Sequence, residues 1–232
     1  MPGSTRPSLQ QRLRQLRTRT PRRLLQTAAS IAEDRLYERR HGLDVLATRS
    51  PSEILDAVGQ SGDLGRAYHP TRRRHLRALF RSLQLPPGLG IADLGSGKGL
   101  VLLTASEYAF GRIVGVEHSP ELCAIARDNL RRMGLEEGPG RRVEVVCADA
   151  AVWQPGPEIN VLYLFNPFEP SVLAAAVDGF RRSLLRHPRP SWLVLNKTVL
   201  PGQSDVQEGF RHERDLHYGS SRMQVYRGSL PR

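Results

Sequence analysis

From Leu89 onward the apolar positions fall into short continuous runs that alternate with longer stretches of three-to-four periodicity, which is the pattern of βαβ units. The runs predict a strand ending at Asp93, a second from Arg112 to Glu117, and further strands at Val143 to Cys147, Asn160 to Phe165 and Trp192 to Asn196. Between them lie predicted helices from Gly99 to about Phe110, from about Pro120 to Met133, and from about Ser171 to Leu185. In the second of these Leu122, Ile125, Ala126, Leu130 and Met133 share one face, and Ser119 stands where a cap belongs. Two closing strands, Phe210 to Tyr218 and Met223 to Arg227, are joined by Gly219-Ser-Ser. The fold class expected is α/β, a doubly wound and mostly parallel sheet of about seven strands with a C-terminal antiparallel hairpin and an N-terminal helical cap.

Upstream, Leu76, Leu79, Phe80 and Leu83 line one helical face that Pro86-Pro87-Gly88 terminates. The extreme N-terminus carries arginine at 6, 12, 14, 17, 19, 22 and 23 with no acid among them, and Leu9, Leu13 and Leu16 recur at helical spacing. Pro21 interrupts that pattern, so a second helix is expected from Leu24 to Arg40, and Ser50-Pro-Ser-Glu53 marks another helix start. The division expected is a basic helical extension over 1–66 and an α/β domain over 67–232.

The most informative chemistry lies at Ile91-Ala-Asp-Leu-Gly-Ser-Gly-Lys-Gly99, followed 24 positions after Asp93 by the acid Glu117 at the end of the next strand. A strand that breaks into alternating glycines before a helix brings backbone close to a bound molecule. An acid closing the next strand can hold a ribose through its two hydroxyls. A dinucleotide fingerprint G-x-G-x-x-G needs glycine where this chain has Leu100 or Leu102, and a P-loop fails because Gly99 follows Lys98. A nicotinamide oxidoreductase is thereby disfavoured.

This constellation resembles the class I S-adenosylmethionine-dependent methyltransferases, whose first motif reads D-x-G-x-G-x-G. The likeness runs from residue 68 to about 227, and the closing hairpin matches the end of that family's sheet. It implies S-adenosyl-L-methionine as cofactor, held at Asp93, Gly95, Ser96, Gly97 and Gly99, with Glu117 on the ribose and Asp149 on the adenine amino group. His118 and Ala150 stand beside those acids as adenine-pocket candidates, with a surface or packing histidine the alternative for His118. At the end of the fourth strand, Asn166-Pro167-Phe168 is similar to the Asn-Pro-Pro-Tyr/Phe motif of amino-group methyltransferases, with one proline missing. Asn166 and Phe168 are the catalytic candidates, Asn166 also touching cofactor, against the alternative of a plain strand-ending turn. Tyr68-x-Pro-Thr71 resembles the segment before the first motif in non-SET-domain protein lysine methyltransferases, which makes Tyr68 a lid or cofactor contact, or else a packing residue. Lys98 departs from that family's variable polar residue and is read as surface charge only.

The function expected is in-line methyl transfer to nitrogen on a protein lysine, with RNA or a small molecule as other acceptors. The net charge of +11 attracts acidic or nucleic-acid partners, although all but two of the 34 basic residues are arginine, a bias that a GC-rich bacterial genome also produces. The arginine arm therefore reads as a solvated helix face, as a nucleic-acid contact in a non-catalytic binding protein, or as a mimic of an organellar transit peptide. No apolar stretch approaches a membrane span, and a cytoplasmic protein without membrane attachment is expected. Cys123 and Cys147 form no CxxC pair, so neither a zinc site nor a disulfide framework is expected.

Overall fold

A computed structural model describes residues 21–46, 70–165, 169–196, 209–218 and 221–228. Its elements are α1 (Pro21–His41), α2 (Arg73–Leu83), β1 (Gly90–Leu94), α3 (Leu100–Ala105), β2 (Arg112–Glu117), α4 (Pro120–Arg132), β3 (Val143–Cys147), β4 (Ile159–Phe165), α5 (Pro170–Arg186), β5 (Trp192–Asn196), β6 (Phe210–Tyr218) and β7 (Ser221–Gly228). One sheet joins the strands in the order β3-β2-β1-β4-β5-β7-β6. β1 to β5 are parallel, and β7 runs antiparallel to both β5 and β6. This is the doubly wound α/β architecture expected.

Strand side chains alternate between faces, so one residue in two serves each layer of the core. Ile91, Ile113, Val161, Tyr163 and Val194 pack on one face against α2, α3 and α4. Ala92, Val114, Leu162, Leu164 and Leu193 serve the other face, where Leu173, Val177 and Phe180 of α5 cover them. The chain winds outward from β1 through β2 to β3, then returns to the other side of β1 with β4. The order reverses between β1 and β4, and the crevice at their carboxyl ends is where such sheets bind ligands.

Several boundaries differ from the sequence pattern, the largest differences falling in α1, α3 and β7. α1 begins at Pro21 rather than after it, because proline suits the first helical turn, where its missing N–H has no partner to lose. α3 stops at Ala105, short of Phe110. Thr104 and Ser106 hydroxyls donate back to the carbonyls of Leu100 and Leu103, and the following turn presents Tyr108 and Phe110 edge-on to Phe80 of α2 at ring separations of 5.2 and 5.4 Å. β7 is longer than predicted, running from Ser221 to Gly228 with Tyr218 paired to Ser221. The arginine arm, the helix start at 50–53, the 66/67 division and the Gly219-Ser220 link lie outside the described residues.

The N-terminal cap is joined to the α/β core. Tyr37, Leu43 and Val45 enter the same apolar cluster as α2 and α3. Asp34 Oδ1 accepts the Arg73 amide at the start of α2, which has no side-chain cap of its own, and Arg73 stacks on the Tyr37 ring at 3.7 Å while pairing with Glu107. Among the described residues no helix is long and apolar enough to cross a membrane.

Phe80 is 5% exposed and holds α2 to the α3–β2 turn. Phe80→Ala is expected to lower unfolding free energy by about 3–5 kcal/mol, read from the urea midpoint. A loss under about 1 kcal/mol would show that α2 contributes little to the core.

Candidate functional site

Immediately after β1 the backbone enters the left-handed region at every second residue, with φ of +73° at Gly95, +52° at Gly97 and +83° at Gly99. Side chains other than glycine's are strained there, which is why the glycines alternate. The turn is tied to β2 at each step. Gly95 and Ser96 amides donate to the Val116 carbonyl at 2.8 and 3.0 Å, and the Gly97 amide donates to Glu117 Oε2 at 2.8 Å. Glu117 Oε1 accepts the Ser119 amide at 2.9 Å, and the Ser119 hydroxyl in turn accepts from Leu122 as the cap of α4. Gly99 also permits close packing, since a Cβ there would stand 3.3 Å from the Cβ of Ala126 in α4.

Gly115 in the middle of β2 belongs to the same device, although it was not singled out from the sequence. A Cβ at Gly115 would lie 2.8 Å from both Leu102 Cδ2 and Ser96 Oγ, so the glycine makes room beneath the turn. The signal was present as a glycine inside an apolar strand run, Val114-Gly-Val116.

Asp93 is 3% exposed and its carboxyl is raised well above the ordinary carboxylate range, first by burial and second by the negative charge of Glu117. Such a site suits a cationic ligand, whose charge would offset both effects. Glu117 fits a ribose: each of its oxygens accepts one backbone amide and retains a lone pair for a hydroxyl. The buried Ser96 hydroxyl, for which no hydrogen-bond partner is found among the described residues, adds a further polar group at the turn. These observations fit S-adenosylmethionine, with its ammonium, sulfonium and ribose.

Asp149 follows β3 and uses Oδ1 to accept the Ala151 amide at 2.8 Å, which leaves its other oxygen available. Ala150 is buried and His118 exposed, both beside their acids on adjacent strand ends. Cys147 pairs with Glu117 in the β2–β3 register, and Cys123 donates to the Glu117 carbonyl at 3.3 Å. Both thiols are free, and burial together with the neighbouring Cys147 pushes Cys123 up to about 12.

On the same sheet face, three buried groups from distant segments meet at the carboxyl ends of β4 and β5. The Thr71 and Tyr163 hydroxyls are 2.9 Å apart, and Asn196 Nδ2 donates to Tyr163 at 3.0 Å and to Thr71 at 3.3 Å. Thr71 closes the Tyr68-x-Pro-Thr pattern, so the cluster anchors the end of that segment beside Asp93, whose register partner is Tyr163. Neither Tyr163 nor Asn196 was distinguished by sequence, where both read as strand residues. Tyr68, Asn166 and Phe168 lie outside the described residues. Lys98 requires a correction: it is 0% exposed, with its ammonium 2.6 Å from Asp44 Oδ1, and is therefore not surface charge.

The Asp93 shift predicts a pH dependence. With a folded pKa above the unfolded value, its contribution to apo-protein stability is complete below the ordinary carboxylate range and is lost as pH rises through the folded pKa. A cationic ligand favours the ionised form, so calorimetric affinity for S-adenosylhomocysteine, which keeps the ammonium, is expected to strengthen as pH rises through that pKa. Asp93→Asn is expected to weaken binding, flatten this dependence and leave the neutral-pH unfolding midpoint unchanged or higher. Equal pH profiles in the two proteins would remove Asp93 from cofactor binding.

Comparison with known proteins agrees with the geometry. Residues 91–187 match a family described as a methyltransferase domain. A protein-L-isoaspartate O-methyltransferase of Methanopyrus kandleri is 30% identical over 138 residues, 58% of this chain and 54% of that protein. A ribosomal protein L11 methyltransferase of Chloroflexus aurantiacus is 26% identical over 87 residues, 38% of this chain and 26% of the relative. The chain thus spans only about a quarter to a half of the length of these two relatives. Among solved structures, a SAM-dependent methyltransferase from Aquifex aeolicus superposes with a TM-score of 0.54 at 16% identity, covering 78% of this chain and 100% of that one. The L11 methylase of Lactobacillus delbrueckii subsp. bulgaricus gives 0.54 at 13% identity, over 68% and 79% of the two chains. The matched domain, the strand order and the glycine turn agree with one another: residues 91–187 are similar to a methyltransferase domain, and the sheet has the fold of S-adenosylmethionine-dependent methyltransferases of known structure.

Proposed function

We propose that this protein transfers a methyl group from S-adenosylmethionine to a nitrogen atom of a protein, a lysine side chain being the acceptor its sequence fits best. The observation that carries the cofactor half is the pairing of buried Asp93 with a glycine turn whose Gly97 amide is held by Glu117. The acceptor half rests on Asn166-Pro167-Phe168, which directly follows the last residue of β4. Two relatives are named for protein substrates, ribosomal protein L11 and L-isoaspartyl protein, which supports a protein as the acceptor.

Bound at this turn, S-adenosylmethionine supplies an electrophilic methyl group, so the chain's task is orientation and exclusion of water. The Asn166 carbonyl accepts a hydrogen bond from the acceptor N–H and so aims the nitrogen lone pair. A lysine, with an ordinary pKa of ~10.4, must first become neutral. The apolar surfaces of Phe165 and Phe168 favour the neutral amine, and solvent takes the proton. Tyr163 serves as a strut: burial holds its phenol protonated, and its hydroxyl is engaged with Thr71 and Asn196. The basic arm concentrates acidic acceptor surfaces at long range.

The test uses labelled methyl donor with protein and RNA acceptors. Label is expected in protein, stable to base, and lost in Glu117→Ala. Asn166→Ala should lower kcat about 100-fold through misplacement of the nitrogen, with the cofactor KM little changed. Base-labile label would assign a carboxylate acceptor, and label in RNA would overturn the protein reading. Salt-sensitive nucleic-acid binding without methyl transfer would instead support a binding protein.

A further inference from the structure

Between Gly95 and Gly99 only Ser96 and Lys98 carry side chains. Three positive-φ glycines give this turn wide conformational freedom, which must be removed for it to hold a ligand. The Ser96 hydroxyl has no hydrogen-bond partner among the described residues, so Lys98 is the turn's charged handle. Its Nζ lies 2.6 Å from Asp44 Oδ1, and its carbonyl accepts from Asn129 Nδ2 at 2.9 Å. Asn129 is 1% exposed and also grips Asp44 itself: its Oδ1 accepts the Asp44 amide and its Nδ2 donates to the Asp44 carbonyl, both at 2.9 Å. The segment carrying Asp44 is fixed in turn by Glu38, whose Oε1 accepts the Val45 and Leu46 amides at 2.9 and 2.8 Å.

We propose that Lys98 is a positioning residue for the cofactor, and that Asp44 of the N-terminal cap, locked by Asn129 of α4, sets the glycine turn through it. Asp44 is then part of the cofactor site through Lys98. Lys98 is itself fully buried, and its charge is met at the surface by a half-exposed carboxylate delivered from 54 residues upstream. An uncharged residue at 98 would leave the turn tethered only through backbone.

The experiment is calorimetric titration of full-length variants with S-adenosylhomocysteine, well below each unfolding midpoint, with the cofactor KM and kcat measured in parallel once an acceptor is known. Lys98→Met and Asp44→Asn are each expected to weaken binding about tenfold. Asp44→Glu should restore affinity to near wild type, and the Lys98→Met/Asp44→Asn pair should bind no worse than the weaker single variant. The loss should fall on affinity and KM, with kcat at saturating cofactor little changed. Asp44 is partly exposed, so Asp44→Asn tests the idea even if Lys98→Met does not fold. Folded variants that bind like wild type, losses that multiply in the pair, or no rescue by glutamate would overturn the clamp. Absence of binding by the wild type would be a different failure, that of the cofactor assignment itself.

Discussion

The glycine turn after β1 is the constraint on which the rest of the site depends. Positive φ at 95, 97 and 99 aims backbone amides while leaving no side chain in the way. Such a turn has little intrinsic reason to hold one shape, because glycine gains nothing from rotamer or β-carbon packing. Its shape is therefore imposed from outside. Val116 fixes its start, Glu117 its middle and Ala126 its approach to α4, while Gly115 leaves the space beneath it. Removing the strand next door would remove the turn, so β2 is its scaffold.

Two acids close together in a buried crevice would destabilise the empty fold if both were charged, and the protein resolves this by environment. Glu117 is partly exposed and accepts two backbone amides, whereas Asp93 is buried and held toward its neutral form. A cation placed beside Asp93 would offset both the burial and the repulsion from Glu117.

The second level of control lies in groups that bridge segments remote in sequence. Asp34 caps α2 from α1, Thr71 meets Tyr163 and Asn196 across the ends of β4 and β5, and Asp44 meets Lys98 beside Asn129. Each is a polar contact made inside or at the edge of the apolar layer, where an unmet group costs more than in water. The first and last tie the cap to α2, the glycine turn and α4, and the second ties the segment before α2 to β4 and β5.

Strand and helix identity was legible because burial is periodic: β2, β3 and β5 begin and end where the apolar runs do, and α4 carries its cap at Ser119. The glycine turn and its acid were legible because positive φ and a strand-terminal carboxylate leave few residue choices. The cap was poorly legible. The described buried positions of α1 are Ser30, Asp34 and Tyr37, two of them polar, so its inward face carries almost no hydrophobic signal. Lys98 misled for the same reason, since a charged residue beside glycines is solvent-exposed unless some distant carboxylate reaches it, and Asp44 is brought there only by folding. Local sequence determined which segments become strands, helices and the glycine turn, because periodicity and φ preference are properties of neighbours. Which polar side chains meet across the crevice was decided by the tertiary structure alone, because those contacts join residues that the chain separates by 33 to 125 positions.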